Sequence, residues 1–468
     1  MLAAVILCFV VGYLVIVFEH PLKLDKTVPA LIMGAVCWAL LAIFYYNGWI
    51  SVIDSHDQVF SLMGSTGEEA HHAGAEGFEN NLLHHFGKTA EILIFLIGAM
   101  TIVEIIDLHR GFGVIKGYVR TRSKRKLLWI VGILGFFLSA VIDNLTATIV
   151  LITILRKLIQ NREERIWYAC LIIIAANAGG AWSPIGDVTT TMLWIGNKVS
   201  ALGLIDYLVI PSIICFAVPS LIASFMPAFK GDITIENEDE KDNEQSNKLL
   251  SSRTMLYLGL GAIVFVPVFK TITHLPPYLG MMLSMGFVWL VSEYIHPEEE
   301  FREERRHMYS ANKALSRIEF SSILFFLGIL MAVAALEAMV FGTISMADGQ
   351  QMQVGTLRYM AEQLDRMVPN QNMVIMLLGV ASAVIDNVPL VAASMGMYDK
   401  PLDDHLWHFI AYSAGTGGSM LVIGSAAGVA AMGMERIDFI WYLKNITWLA
   451  AAGFIAGALA FIFIETYF

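Results

Sequence analysis

Long apolar runs separated by short polar segments make up most of the chain. A helix needs about 20 apolar residues to cross the hydrocarbon core of a bilayer. The runs that meet or approach this length are 2–18, 28–46, 89–106, 127–155, 166–195, 204–226, 254–272, 276–294, 320–341, 373–397, 406–432 and 445–465. The pattern predicts an all-α polytopic membrane protein.

Two of these runs carry polar residues at their centres. Asp143-Asn144 interrupts 127–155, and Asp386-Asn387-Val388-Pro389 interrupts 373–397. Because polar groups and proline break a helix inside a bilayer, each run is predicted to be a re-entrant hairpin that enters and leaves on one side. Runs 166–195 and 406–432 contain Gly-rich segments and are predicted to be broken helices.

The distribution of Lys and Arg supports the hairpins. Cytoplasmic loops collect basic residues, and with both runs as hairpins 24 of the 30 Lys and Arg lie on one side. If both runs crossed fully, the split would be 15 to 15. The sequence thus predicts ten crossings, with both termini outside. The first run has no basic segment before it and no cleavage site after it, so we expect it to stay in the chain as a spanning helix.

The chain also contains an internal repeat. Ser139-Ala-Val-Ile-Asp-Asn144 recurs as Ser382-Ala-Val-Ile-Asp-Asn387, and both halves carry a later Gly-Gly-x-x-x-x-Ile-Gly segment. Five crossings per half is an odd number and inverts the second copy. We therefore predict two inverted-topology repeats, 1–226 and 254–468, each with one re-entrant hairpin and one broken helix. An acidic cytoplasmic linker, 227–253, joins them.

Composition excludes several classes. A net charge of −11 gives no basic surface for nucleic acid. The four cysteines lie in apolar runs without a Cys-x-x-Cys pair, so neither a disulfide framework nor a zinc site is expected. No cofactor is predicted.

Interrupted segments at matching positions of two repeats indicate a transporter's binding site. The polar residues there are hard oxygen donors, with three carboxylates and no Lys or Arg in the interrupted runs, which favours a small hard cation. The principal candidates are Asp143, Asn144, Asn177, Asp187, Thr189, Thr190, Asp386 and Asn387. Secondary candidates are Thr146, Ser183, Ser382, Thr416, Ser419 and Ser425, and Glu104 and Glu337 are candidates for a proton path.

A buried carboxylate that releases its cation tends to take up a proton. One carboxylate that holds either ion provides the minimal chemistry of cation/proton exchange. The alternative for Asp143 and Asp386 is structural, because Asp and Asn are preferred caps of helix N-termini. Glu104 and Glu337 are equally compatible with helix ends near the membrane interface.

The chain resembles the NhaD-type sodium/proton antiporters, in the ArsB/NhaD branch of the ion transporter superfamily. The resemblance is carried by the two Asp-Asn hairpins, by Ser183-Pro-Ile-Gly-Asp-Val-Thr-Thr190 and by Gly415-Thr-Gly-Gly-Ser419. The resemblance covers nearly the whole chain. It implies efflux of Na⁺ and Li⁺ against H⁺ entry across a bacterial inner membrane, by a homodimer in lipid with a scaffold and a transport domain.

By position, the Asp-Asn pairs 143–144 and 386–387, Asn177, Asp187, Thr189 and Thr190 match that family's ion-site pattern. Na⁺ would bind at Asp143, Asn144, Asp187, Asp386 and Asn387. Ser425 stands where the first repeat has Asp187, which departs from a symmetric pair of sodium sites.

Other functions remain open at this point. A dicarboxylate, citrate or arsenite carrier of the same superfamily fits the architecture, and three aspartates argue against an anionic substrate. An intramembrane aspartyl protease would also need two membrane aspartates, but it would not need a repeated Asp-Asn. The histidine-containing outer segment 47–88 is predicted to be a solvated loop, with an external pH or metal sensor as the alternative.

Overall fold

The computed structural model describes residues 1–54, 57–62, 68–118, 121–233, 250–295, 311–345, 351–368, 370–384 and 386–467. In chain order the helices are α1 (Leu2–Val17), α2 (Glu19–Leu22), α3 (Thr27–Tyr46), α4 (Glu68–Leu108), α5 (Lys124–Ile142), α6 (Asn144–Leu158), α7 (Arg162–Gly180), α8 (Val188–Ile195), α9 (Ala201–Ser224), α10 (Leu250–Thr273), α11 (Pro277–Tyr294), α12 (Ala311–Leu315), α13 (Phe320–Ala338), α14 (Thr356–Met367), α15 (Gln371–Ala381), α16 (Asn387–Met397), α17 (His405–Gly417), α18 (Ala426–Glu435), α19 (Phe439–Asn445) and α20 (Thr447–Tyr467). Short 3₁₀ helices span Gly111–Tyr118 and Pro227–Phe229.

Among the described residues, seven helices are long and apolar enough to cross a membrane: Thr27–Tyr46, His72–Leu108, Lys124–Ile142, Ala201–Ser224, Ser251–Thr273, Phe320–Ala338 and Thr447–Tyr467. The predicted runs 166–195 and 406–432 are absent from this set because each is divided into two helices, α7 with α8 and α17 with α18. The prediction of a multi-pass helical membrane protein is confirmed.

Helix α4 begins at Glu68, whereas the sequence predicted a loop as far as residue 88 and a helix only from 89. The earlier part of α4 is polar, with Glu, His and Asn, so it contributes nothing to an apolar run. It contains no proline, however, and polar residues are compatible with a helix outside the hydrocarbon layer. The prediction of a loop was wrong for this stretch.

Two short antiparallel hairpins were not predicted. Strand β1 (Ser51–Ile53) pairs with β2 (Val59–Ser61), and β3 (Val340–Ser345) pairs with β4 (Gln351–Gly355). The sequence did carry a signal for the second hairpin, because an Asp-Gly pair stands between the two strands at 348–349. Residues 346–350 lie outside the described residues.

The chain forms two compact units. The first unit comprises Met1–Leu93, Glu319–Val374 and Val388–Pro401. Within it, α3 and α13 cross with their backbones in contact, because a Cβ on Gly34 would lie 2.6 Å from the carbonyl oxygen of Gly328. Trp38 Nε1 donates a hydrogen bond to the carbonyl oxygen of Met331 at 2.8 Å and fixes the register of the pair.

The second unit comprises Ile94–Ile318, Ile375–Asn387 and Leu402–Phe468. It contains α5–α12 and α17–α20, together with the end of α4, the end of α15 and Asn387. Helices α9 and α20 pack closely, and Tyr412 OH on α17 donates to the carbonyl oxygen of Phe454 on α20 at 2.8 Å. All the predicted site residues except Glu337 belong to this unit. Most of the predicted linker, 234–249, lies outside the described residues.

Candidate functional site

The first interrupted run breaks at a single residue. Helix α5 ends at Ile142 and α6 begins at Asn144, with Asp143 between them at φ 80° and ψ 159°. Residues other than glycine rarely adopt this backbone conformation. Asp143 Oδ1 accepts a hydrogen bond from Thr146 N at 2.7 Å, and Oδ2 accepts one from Thr146 Oγ1 at 3.0 Å. Asp143 therefore does cap α6, as the structural alternative predicted.

The second interrupted run breaks over a longer segment. Helix α15 ends at Ala381 and α16 begins at Asn387, and Ile385 between them lies outside the described residues. Asp386 is half-buried and Asn387 is buried. Pro389 falls in the first turn of α16, where its missing N–H breaks no helical hydrogen bond.

In the first half, close backbone contact holds α5 against α7. A Cβ on Gly179 would overlap the carbonyl oxygen of Phe136. Ser139 Oγ donates to the carbonyl oxygen of Ala176 at 2.6 Å. Only glycine permits the contact between Gly179 and Phe136, and Ser139 anchors the end of α5 to α7.

The second half contains the corresponding contacts. A Cβ on Gly417 would overlap the carbonyl oxygen of Gly379, and Ser382 Oγ donates to the carbonyl oxygen of Ala414 at 2.8 Å. Each pair occupies the same place in the Ser-Ala-Val-Ile-Asp-Asn and Gly-Gly motifs as its counterpart in the first half. The residues that recur in the two sequence motifs thus make the same backbone contacts in both halves.

Asp187 lies where the first broken helix resumes. Helix α7 ends at Gly180, and Asp187 immediately precedes α8. Its side chain makes no hydrogen bond that caps α8. Instead, Oδ2 accepts from Thr189 Oγ1 at 2.8 Å and from Asn387 Nδ2 at 3.0 Å. The first residue of α16 therefore contacts the break between α7 and α8.

Asn177 connects the two halves a second time. It lies in the last turn of α7, not in the break itself, and is fully buried. Its Oδ1 accepts from Asn144 Nδ2 at 3.0 Å. Its Nδ2 donates to both Ser419 Oγ and Ser425 Oγ at 2.9 Å. The structure thus brings together all four of these predicted residues.

Several other candidates bond to the backbone. Thr190 Oγ1 donates to the carbonyl oxygen of Asp187 at 2.9 Å, and Thr416 Oγ1 donates to that of Tyr412 at 2.6 Å. Ser183 Oγ donates to the carbonyl oxygen of Ala140. These hydroxyls have structural partners, although each hydroxyl oxygen keeps lone pairs for a cation.

The three carboxylates lie near one another. Asp143 and Asp187 repel each other electrostatically, and so do Asp187 and Asp386, which makes Asp187 the middle member. Within the described ranges, no three His, Cys, Asp or Glu side chains converge closely enough to hold a metal ion by themselves. A cation here would need hydroxyl, amide or carbonyl oxygens beside a carboxylate.

The two glutamates lie elsewhere. Glu104, near the end of α4, is close to Asp107 and Arg317. Glu337 is in the last turn of α13 in the first unit, where a Cβ on Gly396 would lie 3.3 Å from its Oε2. A role for either in a proton path stays a prediction.

Two buried hydroxyls were missed as principal candidates. Thr148 Oγ1 on α6 and Ser413 Oγ on α17 have no hydrogen-bond partner among the described residues. Their signal in the sequence is their position, since both lie in the interrupted runs that supply the other candidates. Both are fully or almost fully buried.

Comparison with known proteins places this geometry in context. The family described as "Citrate transporter" matches residues 13–407. The chain is 43% identical to "Sodium/proton antiporter 1" of Arabidopsis thaliana, over 99% of this chain and 72% of that protein. It is 29% identical to "Na(+)/H(+) antiporter NhaD" of Alkalimonas amylolytica, over 94% of this chain and 85% of that protein.

Among solved structures, the YdaH transporter of Alcanivorax borkumensis is similar to this chain with a TM-score of 0.59 and 12% identity. The similarity covers 94% of this chain and 98% of that one. At this identity the likeness concerns the fold alone, which is that of a helical membrane transporter.

Proposed function

The chain belongs to the citrate transporter family, among its NhaD-type sodium/proton antiporters, and from this membership we propose that it exchanges cytoplasmic Na⁺ for external H⁺. Membership also makes it a secondary transporter and not an enzyme. Similarities to two proteins named as sodium/proton antiporters, over 99% and 94% of this chain, support the proposed ions. Li⁺, which carries the same charge on a smaller ion, is the expected alternative substrate.

The contact that carries the proposal is the one between Asp187, Thr189 and Asn387. It joins the break of one half to the hairpin tip of the other through a carboxylate that is 4% exposed. Intramembrane acids are costly and are functional sites by default. Asp187 has hydroxyl and amide partners instead of a basic one, so its charge remains to be balanced by a cation or a proton.

Each partner of Asp187 can interact both with the empty, charged carboxylate and with a cation bound to it. The Thr189 hydroxyl donates to the charged carboxylate, and on rotation it presents its oxygen to a cation. The Asn387 amide donates through Nδ2 and can coordinate through Oδ1. In the proposed cycle Asp187 binds Na⁺ on the cytoplasmic side and H⁺ on the outer side. Exchange follows if the loaded forms reorient and the empty charged form does not.

We assign supporting roles to the remaining residues. Asp386 and Asp143, with Thr146, are proposed to add negative potential or ligands beside Asp187. Asn144, Asn177, Ser419 and Ser425 hold the junction between the broken helices. Thr190, Ser183, Ser382 and Thr416 fix the backbone of the breaks.

The proposed architecture has two inverted repeats, 1–226 and 254–468, each with a re-entrant hairpin (127–155 and 373–397) and a broken helix. The matched contacts of Gly179 and Gly417, and of Ser139 and Ser382, support this proposal. We further propose a homodimer in a bacterial inner membrane, as the resemblance to NhaD-type antiporters implies. Both termini are proposed to lie outside, because the basic loops then lie on the cytoplasmic side.

Anion transport is the second candidate, because the matching family is described by citrate. Three nearby aspartates, of which Asp187 is repelled by the other two, disfavour a carboxylate substrate. Relatives named as sodium/proton antiporters over nearly the full chain also favour the cation.

The test is substrate-driven proton movement in proteoliposomes that hold the full chain and an imposed pH gradient. We expect Na⁺ and Li⁺ to dissipate the gradient, and K⁺, citrate and succinate to leave it unchanged. Uptake of labelled citrate, with no response to Na⁺, would contradict the proposal and support the anion carrier.

A further inference from the structure

The amide of Asn177 has no free N–H group. Both of its hydrogens point to serine oxygens, Ser419 Oγ and Ser425 Oγ, each at 2.9 Å. Its Oδ1 faces the amide of Asn144. In this orientation the amide nitrogen faces the two serines and Oδ1 faces Asn144 Nδ2.

The two serines lie in the part of the second half that corresponds to the Asp187 region of the first half. In the aligned Gly-Gly segments, Ser425 stands where the first half has Asp187, and Gly415 stands where it has Asn177. Ser425 Oγ also accepts a hydrogen bond from Gly428 N at 3.2 Å, as the cap of α18. The second half thus offers hydroxyls at this place, and no carboxylate of its own.

A cation at this place would need a lone pair from each serine oxygen, and Ser425 Oγ already accepts hydrogen bonds from both Asn177 Nδ2 and Gly428 N. These oxygens instead accept the N–H groups of Asn177, which carry partial positive charge. A cation brought to the same oxygens would meet two donor hydrogens, and the position that holds Asp187 in the first half holds a neutral serine here, which is strongly unfavourable in a buried environment. The amide occupies the position that a second ion would need.

We propose that Asn177 fills the second-half counterpart of the cation site, so that the chain binds a single Na⁺ per cycle, at Asp187. This inference rests on the proposed antiport function. It makes Asn177 a neutral substitute for an ion and not an ion ligand.

The test is the stoichiometry of Na⁺ binding to the purified full chain in detergent, by isothermal titration calorimetry and by ²²Na⁺ binding. We expect one Na⁺ per chain and a Hill coefficient of one. Two ions per chain would overturn this inference and leave the antiport proposal standing. No binding of Na⁺ at any pH would overturn the antiport proposal and this inference with it.

Two gain-of-site variants test the role of the amide directly. Asn177→Asp replaces the donors by carboxylate oxygens that face two serine hydroxyls, and Ser425→Asp restores the carboxylate of the first half. We expect the stoichiometry to rise from one to two in at least one of them. Asn445→Asp, on α19, adds the same charge elsewhere and should leave the stoichiometry at one Na⁺ per chain. If both variants melt like the wild type and bind one ion, the amide does not take the place of a cation.

Discussion

Asp187 and Asp143 differ in what their carboxylates already bind. Both oxygens of Asp143 bond to Thr146 at the start of α6, so this side chain has a complete structural role. Asp187 makes weaker contacts with the N–H groups at the start of α8, and its hydrogen bonds come from side chains of two different segments. At the residue scale, Asp187 is the stronger candidate for the ion.

Substitution of Asp187 by Asn should reduce Na⁺-driven proton movement to the level of empty liposomes. The variant keeps the shape of the side chain but can neither neutralise Na⁺ nor carry a proton. Dissipation of a pH gradient, followed with a fluorescent dye, measures the effect. Asp206→Asn, at an exposed position on α9, is the matched control and should transport normally. Normal transport by Asp187→Asn would refute its role.

Asp143→Asn separates capping from ion binding at the first hairpin. Asn caps helices about as well as Asp, so we expect the melting temperature to change little. Because Asp143 adds negative potential beside Asp187, we expect the variant to need more Na⁺ for half-maximal transport. An unchanged Na⁺ dependence would leave Asp143 with the capping role alone.

At the scale of elements, glycine determines how closely the hairpins approach the broken helices. A methyl group on Gly179 would overlap the backbone carbonyl of Phe136, and a backbone atom cannot rotate away as a side chain can. We expect Gly179→Ala to lower the free energy of unfolding by about 1–3 kcal/mol or more, the usual cost of overpacking. Thermal unfolding in detergent measures this.

The control for Gly179 is Gly433→Ala in α18, where an added Cβ would have no neighbour within 4 Å. This substitution should be neutral or slightly stabilising, because alanine favours a helix. Equal melting temperatures for the two variants would show that the close contact at Gly179 does not matter for stability.

A buried ion pair fixes the end of α18. The side chain of Glu435 is 1% exposed, and its oxygens bind Arg156 Nε at 2.8 Å and Arg165 Nη2 at 2.9 Å. Glu435→Gln leaves two guanidinium groups without their counter-charge, so we expect destabilisation by about 2 kcal/mol. Glu362→Gln breaks an exposed pair with Arg366 and should have no measurable effect. Equal melting temperatures for the two variants would contradict the account.

The elements that could be predicted from sequence are those marked by apolar length or by a break. The apolar runs located α3, α9 and α20 to within a few residues, and Asp143 marked the boundary between α5 and α6. The polar start of α4 was missed because hydropathy reports burial in lipid and not helix formation. The repeat motifs identified which residues to consider, but the pairing of Asn387 with Asp187 joins residues 200 positions apart. No local pattern encodes such a contact.

For the whole molecule, the proposed orientation in the membrane rests on the distribution of basic residues among the loops. The four cysteines are buried or half-buried, so their reaction with a polar maleimide should be weak. We expect Leu402→Cys, at an exposed position, to react from outside in intact cells. Lys230→Cys, also exposed, should react only after permeabilisation. The reverse pattern would invert the proposed topology.

The central claim for the whole molecule is that one buried carboxylate site holds either Na⁺ or H⁺. The most direct measurement is proton release when Na⁺ is added to the purified protein in weakly buffered detergent solution, over a range of pH. The account predicts proton release by the wild type and none by Asp187→Asn, with apparent Na⁺ affinity rising as pH rises, because fewer protons then compete. Na⁺ binding without proton release at every pH would contradict it.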